Sequence, residues 1–82
     1  MRAVVISDNQ VTCAGFRLVG MECRQAKTAE ELETALQAVA LPETGLIVVT
    51  SALATKCRDV MEKFQESDMP LVVEIPDEGA IV

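Results

Sequence analysis

The chain switches repeatedly between unbroken apolar runs and apolar residues spaced on a helical period, and those switches mark its elements. Ala3-Val4-Val5-Ile6 is a short apolar run that stops at Ser7-Asp8-Asn9, polar turn formers able to end a strand and cap a helix. It reads as a buried central strand. From Val11 the apolar residues Val11, Ala14 and Leu18 recur at i, i+3 and i+7, one helical face, and Gly20 stands where a helix can end in a left-handed cap. A first helix is predicted from Val11 to about Val19. Gly15 inside it costs about 1 kcal/mol relative to Ala, a cost that calls for something packed closely there.

Met21 to Ala26 sets Met21 and Cys23 against Glu22 and Arg24, the alternation of a short, half-exposed strand. Thr28-Ala29-Glu30-Glu31 is a capping box, in which the Thr28 hydroxyl accepts from the Glu31 N–H and the Glu31 carboxylate reaches back to the Thr28 N–H. Leu32, Ala35, Leu36 and Val39 then form an apolar stripe that Pro42 forbids from continuing. Gly45 opens Leu46-Ile47-Val48-Val49, which lacks polar alternation and fits a strand covered on both faces. Thr50 or Ser51 is positioned to cap a third helix with the stripe Leu53, Cys57, Val60, Met61 and Phe64, ending at Ser67-Asp68. Pro70 introduces a last strand, Leu71 to Ile75, which Pro76 closes.

Strands alternating with helices imply parallel strands joined by right-handed crossovers. The expected fold is α/β: a four-stranded parallel sheet with helices on both faces, flavodoxin-like, a Rossmann-like three-layer sandwich in strand order 2-1-3-4. The first and third strands are then central, as their apolar runs require, and the second is an edge, as its Glu22 and Arg24 suggest. The fourth strand would also be an edge, yet four of its five residues are apolar, so a partner, the tail or a further segment is expected to cover it. Residues 1–76 are expected to form one globular domain, with 77–82 expected as a tail that starts a missing C-terminal segment.

Composition narrows the chemistry. With 82 residues there is room for a single core and no cleft between lobes. Seven Lys and Arg against 13 Asp and Glu give a net charge of −6 without a basic stretch, so nucleic acid is a poor partner. No apolar run reaches the roughly 18 residues of a membrane span, and no signal peptide precedes the first strand, so a cytoplasmic protein without direct membrane insertion is expected. His, Trp and Tyr are absent, which removes the commonest metal ligand and near-neutral acid/base along with most stacking groups. Three cysteines, Cys13, Cys23 and Cys57, have wide spacing and no C-x-x-C, so each is expected to be a free, packed thiol rather than part of a disulfide framework or a zinc knuckle.

Ligands of parallel sheets gather at the carboxyl ends of the strands, near Asp8, Thr50 and Pro76 here. Asp8 is the acidic candidate, but a receiver domain would place a phosphoaccepting aspartate where Thr50 stands. The structural alternative is that Asp8 or Asn9 caps the first helix. Cys13 would suit phosphocysteine chemistry only in the loop after the first strand, and it falls about a turn into the helix. Neither a P-loop nor a G-x-G-x-x-G is present, so no nucleotide, metal or other cofactor is expected. A phosphorelay or phosphotransfer domain using Asp8 or Cys13 is the competing function.

One segment goes beyond generic pattern: Val11-Thr12-Cys13-Ala14-Gly15-Phe16-Arg17-Leu18-Val19-Gly20, which follows the strand ending in Ser7-Asp8. It resembles the T-x-x-G-F-R-L-x-G signature of the F-subunit of the rotary V-type (A-type) ATPases. The T-x-E-E-L opening at Thr28, G-L-I-V-V-T at Gly45 and P-L-V-V-E-I-P at Pro70 agree in order. The resemblance implies a non-catalytic component of the central rotor stalk that binds the coiled coil of the stalk's D-subunit and turns with it inside the catalytic head, serving ATP-driven ion transport or ATP synthesis. It also implies a cytoplasmic location, attached peripherally to the membrane through the complex. Within the signature, Gly15 would let Phe16 pack tightly and Arg17 would pair with an acidic group on the same chain or on the partner. Partner-facing candidates are therefore Phe16 and Arg17, together with Leu71 and Val73 on the apolar fourth strand. Members of that family continue past the I-P element into a further helix, whereas this chain ends at Val82.

Overall fold

In a computed structural model, residues 2–66 and 71–76 are described. The elements run β1 (Arg2–Ser7), α1 (Gln10–Leu18), β2 (Glu22–Gln25), α2 (Ala29–Val39), β3 (Thr44–Thr50), α3 (Ser51–Lys56), α4 (Arg58–Gln65) and β4 (Leu71–Ile75). The four strands form one all-parallel sheet in the order β2-β1-β3-β4, the expected topology. Central β1 and β3 bury Val4, Val5, Ile6, Ile47 and Val49 completely, which explains their apolar runs. The β1–β3 register shifts where Arg2 pairs with Thr44 and Ala3 with Leu46, so Gly45 is the extra residue of a bulge and β3 begins earlier than the apolar run. The expected helix end at Ser67-Asp68 and the tail 77–82 lie outside the described residues.

The helices divide unequally between the two faces. Right-handed crossovers explain this, because β1→β2 runs one way along the sheet while β2→β3 and β3→β4 run the other. On one face α2, α3 and α4 pack Leu32, Leu36, Val39, Leu53 and Met61 over Val4, Ile6, Ile47, Val49 and Val72. On the other, α1 sets Cys13 and Phe16 over Val5, Cys23 and Val48.

Two capping details depart from the sequence reading. Thr28 Oγ1 accepts from Glu31 N–H at 3.1 Å as expected, but the Glu31 carboxylate accepts from Lys27 N–H at 2.7 Å, one residue before the Thr28 N–H of a standard box. Neither Thr50 nor Ser51 caps α3 with its side chain. The buried Thr50 hydroxyl donates to Ser7 Oγ at 3.1 Å, and Ser51 Oγ donates to the Ile75 carbonyl at 2.9 Å, so both hydroxyls tie strand ends together instead.

The single third helix of the sequence reading is two helices, because Cys57 (φ −120°, ψ 46°) leaves helical geometry between them. The expected stripe survives the break: Leu53, Cys57 and Met61 are buried, and Val60 and Phe64 pack against the same core. The bend redirects the chain, since α3 rests on β3 and β4 whereas α4 lies between β4 and α2.

Both edge strands carry ion pairs. Arg2 Nη2 lies 2.7 Å from Glu22 Oε2 and holds the Glu22 carboxyl below the usual carboxylate range by hydrogen bonding. Arg58 does the same for Glu74 on β4. A carboxyl whose folded pKa is lowered adds stability above its unfolded pKa and loses it as pH falls through the folded value. Thermal unfolding should therefore shift to lower temperature on acidification below about pH 4.5. The double variant Glu22→Gln, Glu74→Gln should flatten that acid slope, with a modest effect at pH 7 because both carboxylates are partly solvated. An unchanged acid slope in the double variant would contradict this.

Candidate docking face

The position of α1 is set at both ends. Asn9, rather than Asp8, is its cap: Asn9 Oδ1 accepts from the N–H groups of Val11 at 2.8 Å and Thr12 at 3.2 Å, while Asn9 N–H donates to Ser7 Oγ at 3.0 Å. At the far end Gly20 adopts φ 86°, the left-handed conformation expected of it, and turns the chain toward β2. Met21 N–H donates back to the Phe16 carbonyl at 3.0 Å, closing that turn.

Cys13 and Cys23 are joined by a disulfide, contrary to the expectation of free thiols. The reason is placement. Asn9 starts the helix so that Cys13, about a turn later, points at the sheet, and Cys23 pairs in register with Val5 on the same face. Their Cα atoms stand 5.4 Å apart, within the ordinary range for a disulfide. Cys57 alone remains a free thiol, buried on the opposite face. Closing a loop across a sequence separation of 10 residues is worth about 2.5 to 3 kcal/mol in the chain-entropy account. No motif announces this pair; the signal was that Cys23 alternates inward on the second strand.

The disulfide and the cap fix which side of α1 faces the sheet. Thr12 and Cys13 are buried and Phe16 is half-buried, so the apolar stripe Val11, Ala14 and Leu18, the face a helix ordinarily buries, points to solvent. Val11 is 68% exposed, Leu18 88% and Val19, just beyond the helix, 74%. Gly15 lies on this outer side, and a Cβ built there meets nothing within 4 Å, so the chain itself supplies no packing reason for the glycine.

The same side of the sheet continues past α1. By register with Leu46 and Val48, the residues Leu71 and Val73 point to the α1 face. Val73, Ile75, Leu46 and Phe16 are partly buried against the small core there, and Leu71 is 54% exposed. Among the described residues the exposed large hydrophobics are Val11, Leu18, Val19, Leu41 and Leu71, and all but Leu41 belong to this side. Of the sequence-derived candidates, Phe16, Leu71 and Val73 thus come together on one face. Among the described residues Arg17 pairs with no acidic group; its Nη2 donates to the Cys23 carbonyl at 2.8 Å, bracing α1 against β2. Sequence reasoning missed Val11, Leu18 and Val19 as surface residues because their spacing is that of a core stripe.

Among the described residues the carboxyl ends of the strands hold little that could act chemically. Asp8 Oδ2 lies 3.5 Å from Lys56 Nζ, and Ser7 and Thr50 are occupied by each other. Cys13, the phosphocysteine candidate, is bonded to Cys23. Among the described residues no group of three His, Cys, Asp or Glu side chains converges as a metal site would.

If Gly15 faces open solvent in the free chain, Gly15→Ala should raise its stability by up to about 1 kcal/mol, measured by chemical denaturation, since only helix propensity changes. A loss of stability would mean that the site is packed within the chain.

The described helices and strands thus form a sheet with one well-covered face and one face whose apolar groups reach solvent. None of the curated proteins matches the chain at a significant level. The family described as ATP synthase (F/14-kDa) subunit matches residues 3–81, nearly the whole chain. The chain belongs to that family, and the match includes α1, the helix that carries the exposed stripe.

Proposed function

We propose that this protein is a non-catalytic component of the central stalk of a rotary V-type or A-type ATPase and that it docks on the coiled coil of the stalk's D-subunit through its α1 side. The observation that carries this reading is the gathering of Val11, Leu18, Val19 and Leu71 on the side of the sheet served by α1. A single exposed hydrophobic is ordinary, but four on one side of a sheet, together with the half-buried Phe16, Leu46, Val73 and Ile75 of that side, favour an interaction surface. Gly15 in the middle of the stripe favours a helical partner, because a residue without a side chain lets another backbone approach closely. Leu71 would form the rim of the surface and Val73 its floor beside Phe16, while Arg17 positions α1 rather than touching the partner.

The catalytic head is reached through the D-subunit, and ATP is hydrolysed or made elsewhere in the complex. The protein works in the cytoplasm, attached to the membrane through the complex; no helix among the described residues is long and apolar enough to cross a membrane. The phosphotransfer alternative has its thiol buried about a turn inside α1 and has Thr50, not an acceptor aspartate, after β3.

Calorimetric titration of the full chain with the D-subunit coiled coil tests this reading. Leu18→Asp should weaken binding by at least about tenfold, the effect of losing one well-packed anchor, while leaving thermal stability nearly unchanged because the side chain is exposed. Glu62→Arg, on the outer side of α4, should bind as the parent does. Failure of the parent chain to bind at micromolar concentration, or equal binding by Leu18→Asp, would contradict the proposal.

A further inference from the structure

We infer that the Cys13–Cys23 disulfide is a redox-operated tie that holds α1 in place and that a dithiol reductant opens it. Among the described residues the buried core on the α1 side consists of Val5, Cys13, Cys23 and Val48, so half of it is the disulfide. The opposite face has 14 buried residues in its core and does not involve either cysteine. Breaking the bond therefore removes the covalent cross-link between α1 and β2 and leaves the larger core intact. Asn9, Phe16 and the Arg17 bond to the Cys23 carbonyl remain to hold the helix more loosely.

The chemistry is closed. Two electrons and two protons convert the Cys13–Cys23 bond into two thiols, while the donor dithiol closes to its own disulfide. Cys57 cannot enter the exchange, because it lies in the core on the far side of the sheet, at the junction of α3 and α4; Cys13 and Cys23 are buried too, so a reductant reaches their bond when α1 opens locally. The ring spans a sequence separation of only 10, within one α-turn-β unit, so bond formation draws on local order and not on the whole fold. Both redox forms should then be folded, with the difference confined to Gln10 through Gln25. This inference rests on the proposed cytoplasmic role in one respect: a disulfide in that compartment is ordinarily transient or redox-sensing, not a permanent staple. Because α1 carries Val11 and Leu18, the tie would govern the presentation of the docking stripe.

The test equilibrates the full chain in mixtures of reduced and oxidised dithiothreitol ranging from reducing to oxidising, then unfolds it, alkylates free thiols and measures intact mass. The mass should pass from three labels to one, on Cys57, within the series. Amide exchange over residues 10–25 should be at least about tenfold faster in the reduced form, as expected for local release, with α2 to α4 unchanged. The Cys13→Ser, Cys23→Ser variant should reproduce the reduced pattern. One label at every poise, three labels at every poise, or faster exchange throughout the chain would overturn the inference. Binding of the D-subunit is read separately: if neither redox form binds it while the labels and exchange behave as stated, the tie stands and the docking partner is wrong. Equal binding by both forms would show that the tie does not govern docking.

Discussion

The handedness of the crossovers is the constraint on which the rest of this structure depends. With four parallel strands in the order β2-β1-β3-β4, the first crossover runs opposite to the other two, and right-handedness then sends α1 to one face and every later described helix to the other. A single nine-residue helix cannot cover a four-stranded sheet. Several side chains of β3 and β4 that point to the α1 face, Leu46, Leu71 and Val73, therefore stay partly open. The asymmetry is a consequence of topology before it is anything functional.

That geometry makes the α1 side thin, and the sequence compensates locally. An Asn9 cap, a left-handed Gly20, the Arg17 bond to the Cys23 carbonyl and the disulfide all act within about one helix and one strand. They fix the rotation of α1 about its axis, which decides that Cys13 and Phe16 face the sheet and Val11 and Leu18 face outward. Hydrophobic burial alone would favour the opposite rotation, because the outward stripe includes two large aliphatic side chains and the inward face includes Thr12. Thr12 Oγ1 is buried without a hydrogen-bond partner among the described residues, a cost consistent with a rotation set by the cap and the disulfide. A helix that hides its less apolar side is under a different demand from one that only stabilises a core.

Most of the fold was legible in the sequence because long apolar runs and helical stripes have distinct periods. Ala3 to Ile6 and Leu46 to Val49 identified the central strands, Glu22 and Arg24 an edge, and Leu32, Ala35, Leu36 and Val39 a core helix. What could not be read depended on tertiary placement. The break at Cys57 leaves the apolar spacing of that segment unchanged, so periodicity cannot detect it. The disulfide required knowing that Cys13 and Cys23 sit on the same face, and three widely spaced cysteines do not say so. The period of α1 was correct, but a stripe identifies a face without saying whether the chain or a partner covers it. Phe16, Leu71 and Val73 were found as candidates by composition and resemblance, and only the β3–β4 register places the two strand residues on the α1 side.

Membership of the ATP synthase F-subunit family and a one-sided apolar surface fit a protein that acts by being held, with its covered face outward and its thin face against a partner. Site-specific photocrosslinking in the assembled complex tests that orientation most directly. With a benzophenone side chain introduced singly at Leu18, Leu71, Gln37 and Glu62, the first two positions should crosslink to the D-subunit and the last two should not. Crosslinks from Gln37 or Glu62, with none from Leu18 or Leu71, would place the partner on the three-helix face and contradict the account.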